Sequence, residues 1–357
     1  MIGQKIFLGG HIEMKKMFKL SLIMLLAFSV VLAGCGKKNE ETSATGGEPA
    51  GDAKSSVKVG LVTDVGGVND KSFNESAWEA LETLKKDQGI EAQYLQSKSK
   101  EDYVTNLNKY VKGKYDLTWG IGFDLGQDMK TVADQNPDAH LAIIDATVDS
   151  PNVRSITFAE NEGAFLVGVV AGKMTKTGKV GFVGGSEIPV IKRFEAGFKA
   201  GVKAANPSAE IKINYTGAFD KPDQGKAAAA TMYNDGVDII FHASGATGTG
   251  VFNEAIARNK AGGSKVWVIG VDKDQSLEFG DDVTLTSMVK GVTTAVDKVT
   301  QEVIKGEFKG GSEVLGLKEN GVGLADTSSK NVPADVLKAV DEFKEKIISG
   351  EIKVPEE

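Results

Sequence analysis

Residues 58–86 read KVGLVTDVGGVNDKSFNESAWEALETLKK, and this stretch holds a complete strand–loop–helix unit. The β-branched run at 57–62 predicts a strand. Ala77, Leu81 and Leu84 recur at helical spacing and predict a helix over 74–86. A loop rich in glycine and polar residues connects the two. Such a unit is the building block of parallel α/β sheets.

The same alternation continues through the chain. Further strands are predicted at 117–120, 140–145, 179–182, 211–215, 237–242 and 265–271, and further helices at 128–135, 164–175, 191–205, 225–235 and 250–259. Strands and helices that alternate over short connections predict parallel sheets between layers of helices, the α/β class.

Two runs of this pattern, of similar length, predict two lobes. No low-complexity linker separates them, so the connection is expected to be a short hinge near 158–162. The two lobes are expected to span 57–158 with about 273–312, and 159–272 with about 313–357. A body of this size exceeds one comfortable hydrophobic core, which agrees with two units.

The chain has a single cysteine, Cys35, and the residues before it form a secretory pattern. Basic residues at 15–19 precede an apolar run at 20–31 and the sequence Leu-Ala-Gly-Cys at 32–35, which resembles the bacterial lipobox. We expect 1–34 to be a lipoprotein signal peptide, with 1–13 an upstream extension if Met14 is the true start. The alternative, an uncleaved anchor helix, needs about 20 apolar residues, more than the run supplies.

Residues 35–56 carry no aliphatic side chain larger than alanine after Cys35, and they predict a flexible tether. Lipid on Cys35 would hold the protein at the extracytoplasmic face of the cell membrane. Loss of 1–34 removes four lysines and one glutamate and changes the net charge from −7 to −10. An acidic body argues against nucleic acid as a partner, because phosphate binding needs cations.

Ligands of parallel α/β sheets bind outside the carboxyl ends of the strands. The predicted strands are followed there by acids, aromatic residues and glycines: Asp64 and Phe73, Asp145, Phe194, Gly245, and Asp272. The sequence therefore predicts a ligand cleft between the lobes.

Five motifs carry a resemblance to a known family: DVGGVNDKSFN at 64–74, GFVGG at 181–185, FEAGF at 194–198, ASGATG at 243–248 and IGVDKDQ at 269–275. In this order, behind a lipobox, they resemble the Bmp (basic membrane protein) lipoproteins. The resemblance implies a type I periplasmic-binding-protein fold and a substrate-binding component of an ABC importer. It also implies capture of a nucleoside of the adenosine, guanosine or inosine type for a permease, without catalysis or cofactor.

Aromatic side chains can stack on a nucleobase for about 1–3 kcal/mol each. Phe73 and Phe194 are the candidates to enclose the base from two sides. The alternative for Phe194 is core packing, and Phe241 is expected to be core.

Carboxylates make strong hydrogen bonds with hydroxyl and N–H donors. Asp64 and Asp145 are expected at the base edge and Asp272 at the ribose, where the alternative for Asp272 is a helix N-cap. Lys290 matches a ribose contact implied by the resemblance, and its alternative is a solvated surface lysine. Gly245 would let the backbone approach the sugar closely.

Enzymatic motifs are missing from the sequence. The glycine-rich run at 243–250 is neither a dinucleotide fingerprint nor a P-loop, and three histidines without suitable spacing predict no zinc site. Two alternatives to a nucleoside receptor stay open: a sugar-binding receptor of the same fold, and an enzyme acting on nucleosides or sugars. A receptor that presents both lobes to a permease is expected to be a monomer.

Overall fold

The computed structural model describes residues 56–357. The predicted signal peptide, Cys35 and the tether up to residue 55 lie outside the described residues. The described part contains strands β1 (Lys58–Thr63), β2 (Glu91–Gln96), β3 (Leu117–Ile121), β4 (Leu141–Ile144), β5 (Val153–Phe158), β6 (Lys179–Gly184), β7 (Glu210–Tyr215), β8 (Ile239–Ala243), β9 (Trp267–Asp272), β10 (Thr284–Lys290), β11 (Gly311–Leu315) and β12 (Val322–Leu324).

Its α-helices are α1 (Phe73–Gln88), α2 (Tyr103–Lys112), α3 (Gly126–Gln135), α4 (Glu160–Met174), α5 (Pro189–Ala205), α6 (Pro222–Asn234), α7 (Gly248–Lys260), α8 (Ser276–Phe279), α9 (Val292–Ile304) and α10 (Ala334–Ile348). Within residues 56–357, none of these helices combines the length and the apolar character that a membrane crossing requires.

The strands form two six-stranded sheets. The first has the order β11-β5-β4-β3-β1-β2 and is parallel throughout. Its central strands are buried along their whole length, as expected when helices cover both faces. The predicted class, two lobes of parallel sheets flanked by helices, is confirmed.

The second sheet has the order β12-β10-β9-β8-β6-β7, with β12 antiparallel at the edge. Position by position, β6 to β10 take the places that β1 to β5 hold in the first sheet. The two lobes are therefore repeats of one architecture, and their carboxyl strand ends supply equivalent positions.

The chain passes between the sheets after β5, after β10 and after β11. The expected assignment of residues 273–290 to the first lobe is wrong, because β10 pairs with β9 in the second sheet, with Ser287 opposite Gly270. Residues 313–315, expected in the second lobe, belong to β11 of the first sheet. A buried apolar run such as 285–289 suits the interior of either sheet, so its sequence does not decide which one it joins.

Helices α4 and α5 lie unusually close together, which fixes the side chains at their amino ends. A Cβ atom on Gly197 would lie 2.1 Å from the carbonyl oxygen of Asn161, and one on Gly201 would lie 2.0 Å from that of Phe165. Only glycine permits this approach. It places Arg193 and Phe194, on α5, beside the first turn of α4.

Candidate ligand-binding site

The carboxyl ends of the two sheets face a common cavity. All seven residues that the sequence predicts for the cleft line it: Asp64, Phe73, Asp145, Phe194, Gly245, Asp272 and Lys290.

Asp64 follows β1 and turns one carboxylate oxygen into the protein. Its Oδ1 accepts hydrogen bonds from the backbone N–H of Gly66 at 2.9 Å and from Nδ2 of Asn74 at 2.8 Å. Among residues 56–357, no group donates to its Oδ2. Burial raises the pKa of Asp64 to about 6, against the opposing effect of these hydrogen bonds.

Asp70 lies in the same loop, but its carboxylate accepts hydrogen bonds mainly from backbone N–H groups. Its two oxygens accept the N–H groups of Ser72, Asn74 and Glu75, at 3.0, 2.9 and 3.1 Å, and Nδ2 of Asn74 at 3.1 Å. These N–H groups lack partners within the helix because they belong to its first turn. Asp70 therefore caps α1 and holds Phe73 and Asn74 at the cavity.

Asp145 follows β4 with a left-handed backbone, φ 72°. Its Oδ2 accepts a hydrogen bond from Nζ of Lys290 at 2.7 Å, and its buried Oδ1 has no partner among the described residues. Burial raises the pKa of Asp145 to about 6, although the charge of Lys290 opposes this shift. An unpaired buried acceptor at a cavity wall is costly unless a ligand supplies a donor.

Lys290 is only 3% exposed, which excludes the alternative of a solvated surface lysine. Its ammonium also lies 3.1 Å from Oε1 of Glu160, whose Oε2 accepts a hydrogen bond from Nε of Arg193 at 2.6 Å. Burial lowers the pKa of Lys290, but the neighbouring carboxylates outweigh burial and raise it overall. Lys290 is therefore a fixed buried cation.

Three aromatic side chains approach the same ammonium. The Lys290 nitrogen lies 4.9 Å from the ring centre of Phe73, 5.1 Å from that of Phe158 and 5.7 Å from that of Phe194. Phe194 also contacts Phe241, with ring centres 6.1 Å apart, so it joins the core and the cavity wall. Phe241 itself is fully buried, as expected.

Asp272 ends β9 and also has a left-handed backbone, φ 66°. It does not cap a helix, because α8 starts four residues later and its N-cap position is Gln275. Its Oδ2 accepts a hydrogen bond from the hydroxyl of Ser72 in the first lobe. Burial raises the pKa of Asp272 to about 6, although Lys290 and the Ser72 hydroxyl lower it. Its Oδ1 receives no donor from residues 56–357.

Outside the cavity, ion pairs connect the lobes. Lys273 of the second lobe lies 2.8 Å from Glu75 and 2.7 Å from Glu79 on α1, and Lys71 of the first lobe lies 2.9 Å from Glu278 on α8. We call these five residues the interlobe latch. Because these ion pairs join the two lobes, the structure represents a closed state of the cleft.

Sequence reasoning missed four polar residues of the cavity wall, Asp70, Asn74, Asp124 and Ser244. Asn74 and Ser244 directly adjoin the predicted residues Phe73 and Gly245, within the motifs at 64–74 and 243–248. Asn74 gives both amide hydrogens to Asp64 and Asp70, and its buried oxygen has no partner among the described residues.

The wall is rich in acceptors and poor in cations, since Lys290 is the sole lysine or arginine lining the cavity within residues 56–357. No cluster of three potential metal ligands occurs in that part of the chain. The site therefore suits a ligand with several hydrogen-bond donors and does not suit an anion.

The sequence model of the Bmp family, described as ABC transporter substrate-binding protein PnrA-like, matches residues 57–357. The chain belongs to the Bmp family. As a Bmp protein it is a substrate-binding protein of an ABC transporter and not an enzyme.

Among similar Bmp proteins is the CD4+ T-cell-stimulating antigen of Listeria innocua, 48% identical, with 96% of this chain and 99% of that protein covered. The ABC transporter nucleoside-binding protein BmpA of Lactococcus lactis is 40% identical, with the same coverage. Basic membrane protein A of Borreliella burgdorferi is 37% identical, with 94% and 95% covered.

A similar solved structure is an ABC transporter solute-binding protein from Aeropyrum pernix. It is 31% identical, covers 84% of this chain and 94% of its own, and has a TM-score of 0.77. A carbohydrate-transporter solute-binding protein from Agrobacterium radiobacter is 19% identical with a TM-score of 0.58, over 80% and 98% of the two chains, and it supports the shared fold alone.

Proposed function

We propose that this protein captures a purine nucleoside between its lobes and delivers it to the permease of an ABC importer. The observation that carries the proposal is the pairing of two aromatic side chains with carboxylate oxygens at the cavity wall that receive no hydrogen bond from residues 56–357. A purine nucleoside offers a flat ring for the first and N–H and hydroxyl donors for the second. The name of the Lactococcus lactis relative, a nucleoside-binding protein, supports the same ligand class.

In this proposal the base lies between Phe73 and Phe194. Oδ2 of Asp64 and Oδ1 of Asp145 accept hydrogen bonds from the base edge. The ribose lies toward Asp272, Gly245 and Lys290 in the second lobe. Gly245 has a left-handed backbone, φ 54°, which keeps the turn free of a side chain where the sugar approaches.

We also propose that lipid on Cys35 anchors the protein to the extracytoplasmic face of the membrane, with 36–56 as a tether, and that it acts as a monomer. Cys35→Ser should move the protein from the membrane fraction to the soluble fraction without changing its affinity for ligand. Retention of the variant at the membrane would contradict lipid anchoring.

The ligand class is tested by titration calorimetry of the full chain with adenosine, guanosine and inosine, and with ribose and galactose as competitors for the same site. We expect the nucleosides to bind and to be recovered intact. Binding of the free sugars without the nucleosides would replace the proposal with a sugar receptor.

Phe73→Ala tests stacking, with Phe73→Leu as a control that keeps an apolar side chain of similar size. Loss of stacking of about 1–3 kcal/mol weakens binding roughly 5- to 150-fold. Phe73→Leu should lose stacking but fold normally. Unchanged affinity in both variants would remove Phe73 from the site.

A further inference from the structure

His242 is fully buried under the cavity, and none of the roles proposed above uses it. It ends the apolar run of β8, two residues before Ser244. Its ring nitrogens contact Gln275 and Ser244: Nε2 lies 2.8 Å from Oε1 of Gln275, and Nδ1 lies 3.3 Å from Oγ of Ser244. A Cβ atom on Gly248 would lie 2.1 Å from the ring, so the fold reserves this space for the imidazole.

The amide of Gln275 has one permitted orientation. Its oxygen accepts the backbone N–H of Val271 at 3.0 Å, and its nitrogen donates to the carbonyl oxygen of Lys71 at 2.8 Å. The Val271 group can only donate and the Lys71 group can only accept. A reversed amide would place like groups against each other at both ends.

The amide orientation decides the histidine tautomer. Because the Gln275 oxygen only accepts, Nε2 of His242 must carry the hydrogen. Burial lowers the pKa of His242 to about 4, so the neutral ring has no hydrogen on Nδ1. Nδ1 is then an acceptor, and the Ser244 hydroxyl must point its hydrogen at it. The Ser244 hydroxyl therefore has no hydrogen to donate to a ligand, and its oxygen can only accept a hydrogen bond from one.

Ser244 and Asp272 lie at the carboxyl ends of two neighbouring strands of the second sheet. Strands β8 and β9 pair in parallel up to Phe241 opposite Ile269, and Ser244 and Asp272 come three residues after this last pair. Both residues line the cavity, and Gly245 follows in the same turn. Two acceptors on neighbouring strands therefore line the end of the cleft that we assign to the sugar.

We propose that Ser244 is a further ligand-binding residue that accepts a hydrogen bond from a ribose hydroxyl, and that His242 and Gln275 are positioning residues that fix this polarity. The inference rests on the proposed nucleoside function and extends it. It means that the sugar end presents two acceptors, selects a ligand with two hydroxyl donors, as a ribose provides, and disfavours a ligand that lacks one of them.

The test compares adenosine with its 2′-deoxy, 3′-deoxy and 5′-deoxy analogues by calorimetry, in the wild-type chain and in Ser244→Ala. A neutral hydrogen bond corresponds to roughly a 3- to 10-fold change in affinity. We expect Ser244→Ala to weaken adenosine binding by that factor, and the penalty for one deoxy analogue to shrink by the same factor.

If nucleosides bind and all three penalties are equal in the two chains, the Ser244 assignment is wrong and the proposed function stands. If the wild-type chain binds no nucleoside, the proposed function fails, and the Ser244 assignment fails with it.

The positioning role has its own readouts. His242→Phe should reduce the penalty of the same analogue that Ser244→Ala affects, whereas a merely structural role would weaken all four ligands equally. In the wild-type chain, nitrogen-15 spectra of labelled histidine should show His242 with hydrogen on Nε2, with His140→Gln used to assign the signals. Hydrogen on Nδ1 would overturn the relay even if His242→Phe fails to fold.

Discussion

Replacement of Asp272 separates the binding role of its carboxylate from the conformation of its backbone. The residue has φ 66°, a conformation that glycine adopts freely and alanine does not. Asp272→Gly therefore removes the carboxylate without straining the chain, and Asp272→Ala removes it and adds about 1–2 kcal/mol of strain.

The structure sets the size of the binding effect. One carboxylate oxygen is committed to the Ser72 hydroxyl, so one oxygen is left for the ribose. A hydrogen bond to a charged group contributes about 1.5–3 kcal/mol, which corresponds to roughly 10- to 150-fold in affinity. Both variants should lose this much for adenosine in titration calorimetry.

Thermal melting completes the comparison. Asp272→Ala should melt below Asp272→Gly, because only alanine resists the left-handed backbone. Normal adenosine affinity in Asp272→Gly would refute the ribose role. Equal melting of the two variants would refute the argument from backbone conformation.

Three further predictions follow from charges in and around the cleft. Lys290→Met leaves the Asp145 and Glu160 carboxylates without their shared cation. It should lower the free energy of unfolding by about 3–5 kcal/mol in urea titrations at pH 7. Unchanged stability would contradict a buried ion cluster. Lys273→Ala breaks the interlobe latch and should weaken ligand binding only a few-fold, because partly exposed ion pairs contribute about 1 kcal/mol or less. The difference in affinity from the wild-type chain should vanish at high salt. A difference in affinity that persists at high salt would argue against an ionic latch. Four cleft carboxyls have a pKa raised to about 6, so they bind more protons in the folded than in the unfolded chain. Their contribution to the free energy of unfolding should therefore fall as pH rises from 4 through 6, while nucleoside affinity rises as the carboxylates form. Urea titrations and calorimetry at pH 5 and 7 check the two signs, and an affinity that falls toward pH 7 would contradict carboxylate acceptors.

The position of the cleft could be predicted from the sequence because it depends on local patterns. A β-branched run followed by an amphipathic helix identifies a parallel strand, and the residue after the strand is then at the ligand edge. Asp64, Asp145 and Asp272 could be found in this way, without knowledge of which strands are neighbours.

The different roles of the individual cleft residues could not be predicted, because these roles depend on contacts between distant segments. Asp64 and Asp70 belong to one loop and have the same side chain, yet the first faces the cavity and the second is saturated by the start of α1. Lys290 forms an ion pair with Asp145, although the two residues are 145 positions apart in the sequence. Helix α9 was missed because its many valines and threonines favour strands.

The repeat of the two lobes gives the proposed nucleoside two ends of the cleft to distinguish. Asp145 and Asp272 end equivalent strands, β4 and β9, and both have a left-handed backbone. Their neighbours differ, since a lysine ammonium meets Asp145 and a serine hydroxyl meets Asp272. The charge of the first carboxylate is thus balanced directly and that of the second is not. A symmetric scaffold therefore presents two chemically different ends, and an asymmetric ligand with a base and a sugar can distinguish them.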